Sequence, residues 1–154
     1  MRFEIITIFP GFFAGFLEHG ILRRARTEAL VSVEIHDLRE FTHDRHRTVD
    51  DRPFGGGEGM VLKPEPVAEA LAALEVLPKA ARAERSSSTA VILLSAQGRP
   101  FTQAGARDLA LLDRLVLICG RYEGVDERIN TLYCDHELSI GDYEIGRASC
   151  RERV

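Results

Sequence analysis

The stretch that decides the fold runs from Leu115 to Arg128 and reads LVLICGRYEGVDER. Its first five residues are apolar and predict a buried strand, because a short apolar run bounded by turn residues is typical of one. Gly120 and Gly124 then flank a polar turn, and residues 125–130 follow with a helical pattern. A strand that passes through a glycine turn into a helix is a unit of α/β folds.

The same alternation extends along the chain on both sides of this stretch. Further strands are predicted at residues 3–9, 31–36 and 90–94 and within 133–140, and further helices at 12–17, 21–29, 64–77 and 102–112. Residues 80–88, which end in a run of serines, are predicted to form a surface connection. The predicted fold class is therefore α/β, with a mainly parallel sheet and flanking helices.

Composition and charge narrow the classes of function. A chain of 154 residues that is 45% hydrophobic and 29% charged predicts one folded domain and excludes disorder. Its net charge of −4 gives no overall attraction for nucleic acid, so any RNA contact must come from a local patch. The longest uncharged apolar stretch, residues 5–17, is too short to span a membrane. The three cysteines form no CxxC pair, which favours a reducing, cytoplasmic compartment.

Residues 42–60 read THDRHRTVDDRPFGGGEGM, and we call them the arginine–glycine loop. A loop of this length inside a compact domain is usually functional or disordered. Arg45, Arg47 and Arg52 can bind phosphates through two hydrogen bonds each, and the glycines let the backbone approach a ligand. The acidic neighbours nearly offset these arginines, so a solvated, salt-bridged loop is the alternative interpretation.

Two other functions of this loop are disfavoured by its motifs. The glycine run lacks the Lys-Ser/Thr of a P-loop, which argues against nucleoside triphosphate binding. The spacing of His43, Asp44 and His46 matches no structural zinc site, so no metal site is predicted. Elsewhere, Cys119 lies between apolar Ile118 and Gly120 and is predicted to be a small buried residue rather than a nucleophile.

A second polar segment, residues 93–101 with the sequence LLSAQGRPF, also follows a predicted strand. Open α/β sheets bind ligands beyond the carboxyl ends of their strands. This segment and the turn at residues 120–124 are therefore candidate walls of one pocket. Ordinary strand-to-helix turns, in which Gly and Ser are common, are the alternative.

The order of five motifs along the chain resembles a known family. The motifs are IITIFP at 5–10, HDRHRTVDDRP at 43–53, GGGEGM at 55–60, GRYEGVDER at 120–128 and SIGDY at 139–143. From Met1 to Tyr143 the chain resembles the bacterial tRNA (guanine-N1)-methyltransferases of the SPOUT class. These enzymes use S-adenosylmethionine to methylate guanine 37, the base 3′ of the anticodon. One departure is Ala96, where the family usually has proline.

The resemblance implies a homodimer in which each chain forms a carboxyl-terminal trefoil knot that holds the cofactor between three loops. The cofactor-binding residues that it implies are Leu94, Ser95, Gly120, Tyr122, Glu123, Ile140, Gly141, Asp142 and Tyr143. The tRNA-binding residues that it implies are Arg45, His46, Arg47, Arg52, Gly55, Gly56 and Gly57. It implies no membrane contact and no structural metal.

The chemistry of such an enzyme requires a general base for the guanine N1 proton and a cation beside O6. In the resembled family these are an aspartate and an arginine beyond the SIGDY motif, so the catalytic residues of this chain are unknown and the chain as written is expected to be inactive. Residues 144–154, EIGRASCRERV, match one reading frame of a common sequencing adapter and are predicted to be an assembly artefact on a truncated gene, although a divergent tail is the alternative.

Residues 1–143 are accordingly predicted to be a truncated methyltransferase domain with an incomplete knot and without the carboxyl-terminal tRNA-binding domain. Three alternatives stay open from the sequence. The chain could be a non-catalytic RNA-binding module of the same fold, an inactive gene fragment, or a small-nucleotide-binding protein with no RNA partner. The arginine–glycine loop argues against the last, because a protein that binds only nucleotides does not need it.

Overall fold

The computed structural model describes residues 1–53, 56, 59–84 and 88–141. Its strands are β1 (Arg2–Thr7), β2 (Ser32–Asp37), β3 (Asp50–Asp51), β4 (Val61–Leu62), β5 (Thr89–Pro100), β6 (Arg114–Cys119) and β7 (His136–Ser139). Its helices are α1 (Ala14–Leu17), α2 (Gly20–Thr27), α3 (Pro64–Ala73), α4 (Lys79–Glu84), α5 (Gln103–Leu109) and α6 (Glu127–Tyr133). Single 3-10 turns lie at Pro10–Phe13 and Leu38–Phe41.

Five strands form one sheet in the order β2-β1-β6-β5-β7, and every neighbouring pair is parallel. The prediction of an α/β fold with a mainly parallel sheet is confirmed. Because all five strands run in the same direction, their carboxyl ends lie along one edge of the sheet. β5 was predicted to end at residue 94 but continues to Pro100, so the polar segment singled out in the sequence lies within the second half of this strand. This segment and the turns that follow β6 and β7 lie at the same end of the sheet.

The core has two layers, because successive side chains of a strand point to opposite faces of the sheet. Val91 and Val116 are fully buried on the face that α3 and α6 cover, together with Leu71 and Ile129. Their neighbours in sequence, such as Ile92, are buried on the other face against Leu109, Leu115 and Leu138. These apolar layers hold the strand ends in fixed positions, as a binding edge requires.

The segment at residues 80–88 differs from its prediction as a surface connection. Residues 79–84 form α4, and the side chain of Arg82 on this helix is buried. Its guanidinium donates hydrogen bonds to the carbonyl oxygens of Leu77 (2.5 Å) and Tyr133 (2.7 Å) and to the carboxylate of Asp135 (2.5 Å). The prediction was wrong because it took polar composition as a sign of exposure, whereas this arginine is paired inside the protein.

Two further boundaries depart from the sequence prediction. The helix that was predicted to extend to residue 77 ends at Ala73, and Glu75 has a left-handed φ of 56° that turns the chain back. Within the arginine–glycine loop, β3 pairs with β4 as a short antiparallel ribbon. With two residues in each strand, this ribbon has no periodicity that a sequence pattern could show.

The structure bears differently on the membrane prediction and on the predictions for the carboxyl terminus. The described helices include none that is both long enough and apolar enough to cross a membrane. The predicted knot and the predicted foreign tail depend on residues 142–154, which lie outside the described residues. Both therefore stay predictions.

Candidate functional site

The irregular part of β5 that begins at Leu94 touches the turn after β6 through its backbone. Leu94 pairs with Cys119 across the two strands, and Gly120 follows directly. A Cβ atom added to Gly120 would lie 2.9 Å from the carbonyl oxygen of Leu94, a distance that side chains do not adopt. Only glycine allows this approach. The structure thus places two of the three predicted cofactor loops side by side.

The turn after β7 continues the same edge. β5 is irregular between Leu94 and Arg99, and the bulged residues pass close to β7, because a Cβ on Gly98 would lie 2.7 Å from the backbone of Glu137 and Leu138. Beyond β7, the Ser139 hydroxyl accepts a hydrogen bond from the Gly141 N–H (3.2 Å) and donates one to the Gly141 carbonyl (2.6 Å). The three predicted loops therefore lie on three adjacent strands, one after β6, one as the irregular segment within β5 and one after β7.

The turn at residues 120–124 has an unusual backbone. Tyr122 has a φ of 61°, a left-handed value that is rare for a residue with a bulky side chain. Its side chain is half-buried against the main core cluster, which holds the turn in this conformation. Arg121 reaches in the other direction, with its guanidinium carbon 5.4 Å from the ring centre of Phe9 after β1. Such strain at a strand end is typical of ligand-binding turns.

The arginine–glycine loop ends against this same turn. Three backbone hydrogen bonds join them, from Glu123 N–H to Met60 (2.8 Å), from Leu62 N–H to Gly124 (2.9 Å) and from Asp126 N–H to Leu62 (3.1 Å). A Cβ on Gly59 would lie 2.5 Å from Cγ of Glu123, and the φ of Gly59 is 102°. The two regions that the sequence singled out are therefore neighbours.

One carboxylate organises the start of the arginine–glycine loop. Asp44 accepts hydrogen bonds from the Thr48 N–H (2.9 Å), the Thr48 hydroxyl (2.7 Å) and the His46 N–H (3.1 Å). These bonds hold the pKa of the Asp44 carboxyl below its ordinary value of 3.8, with the Thr48 hydroxyl as the largest cause. Arg45, His46 and Arg47 are exposed on the turn that this carboxylate closes.

The alternative interpretation of this loop requires its arginines to pair with the acidic residues beside them. Across the described residues, no ion pair includes Arg45, Arg47 or Arg52. Asp44 is occupied by the turn, and Asp51 accepts a hydrogen bond from the backbone N–H of Arg52 at 2.7 Å. The salt-bridged alternative is therefore not what the described part of the loop shows.

A cleft of about 890 Å³ lies beside the arginine–glycine loop. Its walls include the loop residues Asp44, Thr48 and Arg52, the start of α3 and the start of α6. None of the predicted cofactor residues that the structure describes lines it. The cleft is thus a different surface from the carboxyl edge of the sheet.

The residues at the starts of α3 and α6 that line this cleft were not assigned to a site from the sequence, although three of them belong to the GRYEGVDER motif. They include Glu65, Glu69, Asp126, Glu127 and Arg128. Asp126 caps α6 by accepting a hydrogen bond from the Arg128 N–H, and the Arg128 side chain, the largest cause, holds the pKa of the Asp126 carboxyl below its ordinary value. The predicted helix at residues 125–130 placed Asp126 inside it; the signal that could have moved the helix start to residue 127 is the aspartate itself, because aspartate is common at the N-cap.

The reactive and metal-binding groups fit the expectations only in part. Burial raises the pKa of the Cys119 thiol to about 11, which agrees with a structural residue rather than a nucleophile. Among the described residues, Glu4, Glu34 and His36 bring possible metal-ligand atoms within 4.8 Å of one another. Arg2 (2.6 Å) and Arg114 (2.5 Å) already neutralise Glu4, however, and this positive charge opposes a further cation.

Four predicted site residues, Gly55, Gly57, Asp142 and Tyr143, lie outside the described residues. Gly56 is described and has a left-handed φ of 82°. Ile140 and Gly141 are described at the start of the third loop, and the Ile140 side chain is 82% exposed. The described part of the predicted cofactor site therefore consists of the first two loops and the beginning of the third.

Comparison with known proteins identifies the family. Residues 1–149 match a family model described as tRNA (Guanine-1)-methyltransferase TrmD. The chain is 59% identical to a tRNA (guanine-N(1)-)-methyltransferase of Koribacter versatilis over 143 residues, which are 93% of this chain and 53% of that protein. It is 48% identical to the protein of the same name from Thermomicrobium roseum, again over 93% of this chain and 51% of the relative.

A solved structure agrees with these relatives. The crystal structure of a tRNA (m1G37) methyltransferase from Aquifex aeolicus superposes with a TM-score of 0.76 at 38% identity, covering 93% of this chain and 61% of that one. The chain spans about half the length of the curated relatives that it matches. On the family match and these identities, the chain belongs to the tRNA (guanine-1)-methyltransferase family.

Proposed function

We propose that this chain provides the cofactor surface and part of the RNA surface of an enzyme that methylates N1 of guanine 37 in tRNA, with S-adenosylmethionine as the methyl donor. The observation that supports this most is the convergence of three turns on adjacent strands, with Gly120 in backbone contact with Leu94. Membership of the methyltransferase family gives the class of reaction.

The residues at this edge suit a nucleoside cofactor. The exposed side chain of Ile140 offers an apolar surface on which a purine ring can lie. The irregular backbone after Leu94 and the strand ends at Gly120 and Ile140 offer N–H and carbonyl groups for the polar atoms of adenosine and methionine. We assign cofactor binding to these residues and to Ser95, Tyr122, Glu123, Gly141, Asp142 and Tyr143. When bound, the sulfonium centre of the cofactor supplies the methyl group.

The RNA surface in this proposal is the arginine–glycine loop. The chain as a whole is negative, so its attraction for RNA has to be local. Arg45 and Arg47 provide this attraction, because they are exposed and no acidic side chain of the described residues forms an ion pair with them. We add His46, Arg52 and the glycines 55–57 to this surface.

The proton on guanine N1 has to leave during the transfer. Asp126 and Glu127, two carboxylates of the described residues, are poorly suited to accept it. Asp126 is held by Arg128, which lowers its pKa, and a weak base gives little general-base catalysis. Glu127 accepts a hydrogen bond from Asn130 at 3.0 Å. We therefore propose that the base and the cation at O6 are the aspartate and arginine that the resemblance places after Tyr143.

The assembly and the compartment are also part of the proposal. We infer a homodimer, because the resemblance implies one, and a reducing cytoplasmic setting, because Cys119 and Cys134 are both free thiols. Light scattering on purified protein at several concentrations measures the assembly directly. When the continuation of a relative is attached to this chain, we expect twice the mass of one extended chain.

The proposed function is tested by radiolabelled methyl transfer to a tRNA that has guanine at position 37. We compare the 154-residue chain with a chimera in which the continuation of the Aquifex aeolicus relative follows Tyr143, and with the same chimera carrying Gly120→Val. We expect transfer by the chimera, none by its Gly120→Val variant, and a rate at least about 10⁴-fold lower for the chain alone.

A second tRNA with adenine at position 37 is the matched substrate control. Equal methylation of both tRNAs would contradict the proposed target base. An inactive chimera beside an active relative would contradict the proposed cofactor surface. Near-normal transfer by the 154-residue chain would contradict the assignment of the base to residues after Tyr143.

A further inference from the structure

The turn at residues 44–48 is built around one side chain. Both carboxylate oxygens of Asp44 face back into the turn, where they accept three hydrogen bonds from His46 and Thr48. The Asp44 carbonyl accepts a fourth, from the Arg47 N–H at 3.1 Å. Arg47 has a left-handed φ of 51°, which an arginine rarely adopts without such support.

Both ends of this turn are fixed to the body of the protein. After the turn, Val49 is fully buried, and its carbonyl accepts a hydrogen bond from the Lys63 N–H at 2.8 Å. Before it, the Thr42 hydroxyl donates to the Arg39 carbonyl at 2.8 Å. The Arg39 guanidinium in turn donates to the Arg47 carbonyl at 3.2 Å. The turn is therefore a rigid projection and not a free loop.

We propose that Asp44 is a positioning residue for RNA binding, which fixes the turn so that the side chains of Arg45 and Arg47 project together from the surface. This inference rests on the proposed contact between the arginine–glycine loop and RNA. Asp44 itself does not contact the RNA in this proposal. It lowers the entropy that the two arginines lose when they bind, because their backbone is already ordered.

The charge of Asp44 makes this role testable. A carboxylate beside an RNA surface repels phosphates, so its removal strengthens binding if only charge matters. If Asp44 positions the arginines, its removal weakens binding despite the gain of one positive unit of net charge. The two explanations thus predict opposite signs for the same substitution.

The experiment measures binding of the 154-residue chain to an anticodon stem–loop RNA by fluorescence anisotropy, between about 50 and 200 mM salt. We expect Asp44→Ala to weaken binding about tenfold and to flatten the salt dependence, as the double variant Arg45→Ala/Arg47→Ala does. Thermal unfolding of Asp44→Ala stays close to that of the unsubstituted chain, since the residue is exposed.

Three variants control this result. Glu40→Ala removes one negative charge from an exposed neighbouring residue that, in the described part of the chain, makes no hydrogen bond or ion pair with the turn, so it leaves binding unchanged or strengthens it. Thr48→Val removes the hydroxyl that donates to Asp44 without changing charge and weakens binding about threefold. Thr48→Ser keeps the hydroxyl and restores the affinity.

The outcomes separate this inference from the proposed function. If the double arginine variant weakens binding while Asp44→Ala binds equally well or better, the positioning role is wrong and the RNA surface stands. If the unsubstituted chain does not bind, or the double arginine variant binds as well as it does, the proposed RNA surface is wrong and the inference fails with it. Weakening by Asp44→Ala and Thr48→Val, with recovery in Thr48→Ser, supports the inference.

Discussion

The carboxyl edge of the sheet and the arginine–glycine loop are neighbouring regions that are held together in different ways. At the edge, backbone packs against backbone, and Gly98 and Gly120 leave no space for a Cβ atom. In the loop, an exposed carboxylate, Asp44, holds the turn through hydrogen bonds to its own neighbours. Substitutions at the edge should therefore damage the fold, whereas substitutions in the loop should change binding and leave the fold intact.

The aspartates of this protein also differ in the groups that they bind. The loop is nearly neutral by composition, yet Asp44 and Asp51 are occupied by backbone groups and do not form ion pairs with its arginines in the described part of the chain. Before β7, at the opposite end of that strand from the carboxyl edge, Asp135 is by contrast paired directly with the buried Arg82. A count of charges cannot distinguish these two uses of an aspartate.

The largest loss of stability is expected from Arg82→Ala. This substitution tests how far the position of β7, and with it the carboxyl edge, depends on an ion pair inside the protein. Arg82 joins α4 to Asp135, whose carboxylate also accepts a hydrogen bond from the Val91 N–H at 2.8 Å, and β7 begins at the next residue. Removing one partner of a buried ion pair costs about 3–5 kcal/mol, and the loss here should lie at the lower end, because the Asp135 side chain is 26% exposed. Urea unfolding measures this loss.

Lys79→Ala is the matched control, since Lys79 is an exposed cation on the same helix. Its free energy of unfolding should change by less than about 0.5 kcal/mol. A loss below about 1 kcal/mol for Arg82→Ala would show that the pair does not support the edge.

The next effect in size is expected from Gly98→Ala. The added Cβ meets the backbone of Glu137 and Leu138 at 2.7 Å, so β5 and β7 have to separate. Overpacking of this kind typically costs about 1–3 kcal/mol. We expect a lower free energy of unfolding together with a loss of S-adenosylmethionine binding, measured by urea unfolding and by titration calorimetry.

Gly15→Ala makes the same chemical change where space is open. Gly15 lies in α1, and nothing lies within 4 Å of its added Cβ. The substitution should be neutral or stabilise the protein by about 0.5–1 kcal/mol, because alanine favours the helix. Equal destabilisation by both substitutions would mean that close packing at the edge is not the cause.

The smallest effect is expected on acidification of the loop. Because the folded state lowers the pKa of Asp44, its contribution to stability is present above the unfolded value of 3.8 and is lost as the pH falls through the lower folded value. An NMR titration of the Thr48 and His46 amide signals should therefore have its midpoint below pH 3.8.

Thr48→Val removes the largest cause of this shift and should move the midpoint towards 3.8. Amide signals near Gly120 provide the internal comparison and should not follow the Asp44 titration. If the midpoint in the unsubstituted chain lies above 3.8, the turn is not held by the ionised carboxylate.

Much of the fold could be predicted from patterns of apolar residues. The buried strand at residues 114–119 and its glycine turn were clear, because a central parallel strand is apolar throughout. Arg82 could not be placed, since its partners, Tyr133 and Asp135, lie about fifty residues away in sequence. A single sequence does not show which distant residues meet.

The candidate site shows the same division. The glycine and arginine motifs indicated the family and both of the proposed binding regions. The cleft between the loop and the starts of α3 and α6 was missed, because its acidic residues come from separate elements: Asp126 and Glu127 belong to the GRYEGVDER motif, whereas Glu65 and Glu69 belong to none. The role of Asp44 was also hidden, since an Asp-x-x-x-Thr spacing becomes a turn only when the backbone brings the two side chains together.

The central claim is that the cofactor and the RNA bind to separate, adjoining regions of this chain. Two-dimensional amide NMR of the labelled protein tests it most directly, with S-adenosylmethionine and an anticodon stem–loop RNA added separately. The account predicts that the cofactor shifts signals of Leu94–Gly98, Gly120–Glu123 and Ile140–Gly141, whereas RNA shifts those of residues 44–48. Cofactor-induced shifts centred on the cleft at Glu65 and Arg128, with none at Gly120, would contradict it.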